Sequence, residues 1–248
     1  MRSCPIMHKI HQAILPAAAV AGMAVIALAC AGCKAPPARH TTPFISDTAG
    51  MMPVPEIKAY HKTWARKDAD WAKFKKIYVA PVSTKYLQER AGWQKSSFAE
   101  YDPKGVEELA GFTRQAFIAA HRANTSTNRL EVVDKPDANT VILEMAITEL
   151  VPTKAWLNTV TTAAIGWAPD KGLIALEARL RDGAGGLVIA VFADREQGKD
   201  SIFNVKDFTW YSHARAIIEE WAKQSVEITN AAEGAVVSDS PAFELKAW

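Results

Sequence analysis

Three observations predict an α+β domain of two layers, a mostly antiparallel sheet with helices packed on one face. Two segments, 140–150 and 173–181, alternate apolar and polar residues with the period of a half-buried strand. Two others, 103–123 and 207–221, repeat apolar residues at helical spacing. One helix precedes most of the strands and the other follows them, so both can cover the same sheet face.

The chain opens with Arg2 and Lys9, then runs without a charge from Ala13 to Ala29 before Cys30-Ala31-Gly32-Cys33. A basic start, an apolar stretch and a small-residue boundary are the anatomy of an export signal over residues 1–32. The boundary falls at a cysteine, as in bacterial lipoproteins, whose thiol receives the lipid. Cys30 follows Ala27-Leu28-Ala29, whereas Cys33 follows Cys30-Ala31-Gly32, so either can be the lipidated residue. A membrane-spanning helix and an ordinary cleaved secretory signal are the competing readings of the same run, whose length lies at the lower limit of the roughly 17–25 residues that a span needs. Neither Cys30 nor Cys33 is followed by aspartate at the next two positions, which favours sorting to the outer membrane.

Residues 33–56 contain Pro36, Pro37, Pro43, Pro53 and Pro55 and read as an extended tether. The domain proper is expected over 57–229. Asp68-Ala69-Asp70 ahead of Trp71 and Phe74 predicts a capped helical turn. Lys76 to Val82 reads as an apolar strand closed by Pro81, and 83–101 as a polar loop. Asp102-Pro103 then starts a helix carrying Val106, Leu109, Thr113 and Phe117 on one face. After a strand over 129–134, residues 140–150 place Val141, Leu143, Met145 and Ile147 on one side. Residues 173–181 do the same with Ile174, Leu176, Ala178 and Leu180, leaving Glu177, Arg179 and Arg181 outward. Asp182-Gly183-Ala184-Gly185-Gly186 turns that strand into the next, 187–193. Asp207 begins the last helix, with Trp210, Ala214, Ile217, Ile218 and Trp221 in one stripe. Residues 230–248 read as a weakly ordered tail.

Composition limits the function. Cleavage removes Arg2 and Lys9, leaving 27 basic residues against 27 acidic ones. A neutral chain lacks the positive field on which non-specific nucleic-acid binding depends. No cysteine follows Cys33, so the domain has no internal disulfide and no thiolate metal ligands. Of the histidines beyond the leader, His40 and His61 read as solvated, His121 as a partner of a helix C-terminal dipole, and His213 as a core or partner-facing residue. Their spacing suggests no metal site, and no cofactor motif is present. Gly183-Ala184-Gly185-Gly186 joins strand to strand, unlike a phosphate loop. Asp194, Arg195 and Glu196, near Lys199 and Asp200, read as a solvated salt-bridge cluster. Trp71, Trp210 and Trp221 are expected in the core. Trp156 and Trp167 instead bracket an uncharged segment, where Leu157, Val160 and Ile165 could pack inside or touch a membrane or partner.

Three stretches together resemble one group, the bacterial lipoproteins of the domain-of-unknown-function 3313 family. They are Asp68-Ala69-Asp70-Trp71 with the strand Ile77 to Val82, Leu157 to Thr162, and the hairpin strand running into Asp194-Arg195 and Gly198 ahead of the Trp210–Trp221 helix. The chain departs from the family pattern at Ala80, where an acidic residue commonly precedes the proline. The resemblance implies an envelope lipoprotein with a compact α/β domain and carries no catalytic residues with it.

The expected function is therefore a non-catalytic binding or assembly component of the cell envelope. It would be lipid-anchored at the periplasmic face of the outer membrane and would contact an envelope protein. A small envelope hydrolase and a lipid or small-ligand carrier are the competing classes.

Overall fold

The computed structural model describes residues 37, 40–45, 48–87, 103–151, 173–197, 212–232 and 234–239. Seven strands form one mixed sheet: β1 (Met51–Pro53), β2 (Lys62–Arg66), β3 (Lys76–Val79), β4 (Glu131–Val132), β5 (Thr140–Val151), β6 (Leu173–Asp182) and β7 (Val188–Gln197). Their order is β1-β2-β7-β6-β5-β3-β4. The three long strands and the β1–β2 edge are antiparallel, while β3 lies parallel to β5 and β4. The crossover from β3 to β4 contains α1 (Pro103–Ala123), as a parallel pair requires. The second helix, α2 (Ser212–Asn230), follows β7. The α+β class is correct, and the antiparallel part of the sheet runs from the β1 edge through β5.

Both helices pack on one face. Phe117, Ile118, Ile218 and Trp221 meet Leu143, Met145, Ile147, Ile174, Leu176 and Ala178 in the main core. These strand residues are the alternating sets legible in the sequence. Two irregularities break the alternation. The β5–β6 register shifts between Ile147 and Glu149, so Glu149 pairs with Ala175 and turns to the face away from the helices. A second shift near Leu180 leaves Ile189 buried in the main core. An extra residue in one strand re-aims its neighbours in this way.

The opposite face is also closed, which the tether reading did not anticipate. Phe44 and Ile45, in a short 3-10 turn, are buried with Ala146, Val191 and Ala193. Trp64, Met51 and Tyr86 pack at the margin of this smaller cluster. The later part of the expected tether is thus a strap followed by an edge strand. Pro53 is tolerated because β1 lies at the edge of the sheet. Among the described residues beyond α2, Val237 is tied down too. Val237 is buried, accepts from the amides of Lys58 and Ala59, and donates its own amide to Glu56. The reading of 230–248 as a loose tail therefore does not describe the segment around Val237.

The helical turn near Asp70 is a single 3-10 turn, Trp71–Lys73, without a side-chain cap. Trp71 is 44% exposed rather than core, with Phe74 buried in its place. The hairpin turn needs its first glycine for a different reason from turn conformation. A Cβ on Gly183 would stand 2.3 Å from the carbonyl oxygen of Asp137 and 2.7 Å from that of Thr140. Gly186 supplies the left-handed residue, at φ 67°.

Candidate functional site

Among the described residues, a set of buried polar side chains lies where β2 begins beside the far half of β7. Asp194 pairs with Leu176 across the ladder, so its carboxylate faces the helices. There its Oδ2 accepts the indole N–H of Trp221 at 2.7 Å. Its Oδ1 accepts the backbone N–H of His61 at 2.9 Å and lies 2.5 Å from His61 Nδ1. Asp194 is 4% exposed. A carboxylate this deep persists because several donors replace its lost water. Tyr60, stacked on Phe192 with centroids 4.4 Å apart, donates its hydroxyl to the backbone carbonyl of Trp221 at 3.2 Å. Burial, reinforced by the negative charge of Asp194, pushes the Tyr60 phenol well above its ordinary range.

Arg195 points the other way from Asp194 and meets Glu149 at 2.7 Å, on the face to which the β5 irregularity turns that carboxylate. The expectation of a solvated cluster at 194–196 is overturned for these two residues. β7 continues through Gln197 and buries both Asp194 and Arg195. His61 is likewise half-buried rather than solvated. It lies 133 residues from its partner, and no local pattern connects them. The detectable trace was the continuation of an apolar strand into alternating charge.

His61, Asp194 and Glu196 bring three potential metal-ligand atoms within 4.8 Å of one another. Both oxygens of Asp194 already accept hydrogen bonds. A cavity of about 10 Å³, room for one water, adjoins the pair between Pro37 and the strap residue Thr41 on one side and the sheet residues Thr148 and Glu177 on the other. The pair can orient an imidazole, seat a water and hold the start of β2 against β7.

The strap face holds a second polar arrangement. Glu177 is 3% exposed, although the alternation placed it outward. Its carboxylate accepts the backbone N–H of Thr42 at 2.7 Å and the Thr42 hydroxyl at 2.5 Å. Arg179 donates to the carbonyl oxygen of Phe44 at 3.0 Å, lies over the Phe44 ring and pairs with Glu144. Outward side chains of β6 are therefore the seat of the strap.

His121 is buried between the helices, with Ser225 Oγ 3.3 Å from its Nε2. Burial lowers its pKa to about 4, so near neutral pH it is an uncharged core residue. The expected dipole partner is thereby corrected. His213 lies on α2, and the imidazole beside Asp194 is that of His61. The candidate lipidation residues Cys30 and Cys33 lie outside the described residues. So do Trp156, Leu157, Val160, Ile165 and Trp167, and the expected helix residues Asp207 and Trp210. Among the described residues no helix is long and apolar enough to cross a membrane.

No curated protein matches the chain. Among solved structures it is similar to the PelC dodecamer from Paraburkholderia phytofirmans, with 10% identity and a TM-score of 0.33. That likeness covers 61% of this chain and 87% of that one. It is also similar to XCC0632 from Xanthomonas campestris, a protein of the DUF330 family model. There the identity is 11% and the TM-score 0.34, over 63% of this chain and 80% of that one. The family model described as a protein of unknown function, DUF3313, matches residues 41–225, from the strap through Ser225 of α2. The chain belongs to the DUF3313 family.

Proposed function

We propose that the chain is an exported lipoprotein, lipidated on Cys30 or Cys33 and held at the periplasmic face of the outer membrane. Its domain acts as a binding or assembly component of the envelope, without catalysis. The observation that carries this reading is the uncharged run ending in Ala29-Cys30-Ala31-Gly32-Cys33. It is supported by the strap, which begins at Thr41, only eight residues after Cys33, and enters the fold directly. The donors around Asp194 and Glu177 tie segments of the domain together, which suits a scaffold that presents a surface.

Membrane fractionation tests the anchor. With Cys30 and Cys33 both changed to Ser, the protein should leave the membrane fraction, and unaltered association would refute lipidation. Affinity capture from cross-linked cells tests the partner. A variant with charges placed in 157–166 should lose a protein that the unmodified chain retains. Identical captures would remove that segment from the contact surface.

A hydrolase remains the second reading because Asp194 orients His61 as a carboxylate orients a general base. Ester turnover by purified protein, abolished in a His61→Gln variant that stays folded, would favour it over the binding role.

A further inference from the structure

The strap is joined to the sheet differently from every strand. Residues 43–45 form a 3-10 turn whose internal bond runs from the Ile45 amide to the Thr42 carbonyl, and they lie outside the seven-stranded ladder. Side chains of the sheet hold the strap at Thr42 and Phe44. Glu177 accepts from Thr42, Arg179 donates to the Phe44 carbonyl, and Phe44 and Ile45 bury against Ala146, Val191 and Ala193. Such a segment can leave without breaking a strand pairing. β1, next along the chain, is paired residue by residue with β2 from Met51 to Pro53.

We propose that residues 41–45 are a latch that sets how far the domain can stand from the membrane. The inference rests on the lipid-anchor reading above. With the strap seated, Thr42, which Glu177 holds, is nine positions after Cys33, an extended reach of about 30 Å at ~3.5 Å per residue. With the strap lifted, the first residue held by the ladder is Met51, and eighteen residues give about 60 Å. Lifting it also bares Glu177, Arg179 and the small apolar cluster on a face that the helices do not cover. A ligand that competes for this face has the chemistry of the strap. It is an extended peptide offering an N–H and a hydroxyl to Glu177, a carbonyl to Arg179 and an aromatic ring. Seating such a peptide would lengthen the leash and let the domain reach further from its anchor.

The test uses the full-length lipidated protein on a supported bilayer, read by neutron reflectometry, beside hydrogen exchange of the strap amides. The Thr42→Val/Phe44→Ala double variant removes the hydroxyl donor and the buried ring. Thr42→Val alone is the milder variant should the double one fold poorly. The expected result is at least tenfold faster exchange at Thr42 and Ile45 with β5–β7 protection retained. The protein layer should then extend outward by roughly 10–30 Å, within the added chain length. Faster strap exchange with an unchanged layer would overturn the latch. So would unaltered strap protection in both variants, because these side chains would then not be the catch. Failure of the unmodified protein to attach to the bilayer would instead overturn the lipoprotein reading.

Discussion

On its helix side the sheet buries Phe117, Ile218 and Trp221 under two long helices, whereas on its other side Phe44 and Ile45 lie under a short strap. The helix side is mostly apolar packing, large in area and shared among many residues. The strap side is small, and its specificity comes from Glu177 and Arg179. A core of the first kind stabilises the whole domain, because each truncation leaves a cavity that neighbours cannot fill. A contact of the second kind fixes one segment and can be lost with the rest intact.

Truncation of the helix-side anchor should separate the two most clearly. Trp221→Ala removes a 1% exposed ring and one donor to buried Asp194. Urea unfolding should show a loss of about 3–5 kcal/mol. A loss below about 1 kcal/mol would mean that the helix layer is not the principal core. Phe44→Ala on the strap side should cost less than Trp221→Ala in the same measurement, which would sharpen the contrast; an equal loss would break it.

The turn glycines give the next largest effect. Gly183→Ala drives a Cβ into two backbone carbonyls, which must shift, and should lower stability by about 2 kcal/mol or more. Gly185→Ala meets nothing within 4 Å and should stay within about 0.5 kcal/mol. Equal effects would show that the turn does not press on the start of β5.

Acid should weaken the helix side through His121. Its folded pKa, lowered to about 4 by burial, lies below the unfolded value near 6.5. The unfolded state therefore binds the extra proton between those values. Stability from this group is complete above about pH 6.5 and falls as pH drops toward 4, by up to about 3 kcal/mol. Denaturation curves across that window should flatten in His121→Asn. An unchanged pH slope would assign the acid sensitivity elsewhere. The smallest effect belongs to the exposed Lys104–Glu108 pair, separated by 3.9 Å on α1. Lys104→Ala should change stability by less than about 0.5 kcal/mol.

Most of the helix side was legible in the residues. Val141, Leu143, Met145 and Ile147 alternate, and α1 begins at Pro103 as its signal predicts. The strap side was not. Pro36, Pro37 and Pro43 argue for an extended tether, and nothing near Thr42 signals a partner 135 residues away. Glu177, Arg179 and Asp194 looked solvated because charge in an alternating strand ordinarily faces water. Phe44 and Ile45 were the available trace, an apolar pair inside a proline-rich run.

The sequence by itself determined the uncharged run that ends at Cys30 and Cys33, the balance of 27 basic and 27 acidic residues after it, the period-two strands and the helical stripes. These are local patterns, set by residue type and spacing along a few turns or one strand. Only the tertiary structure decided that β3 runs parallel to β5, that Asp194 and Arg195 point to opposite faces, and that the strap closes the second face. Those outcomes depend on register shifts and on donors and acceptors brought together across more than a hundred residues. Burying a carboxylate is unfavourable until its donors arrive, and the donors arrive only with the fold.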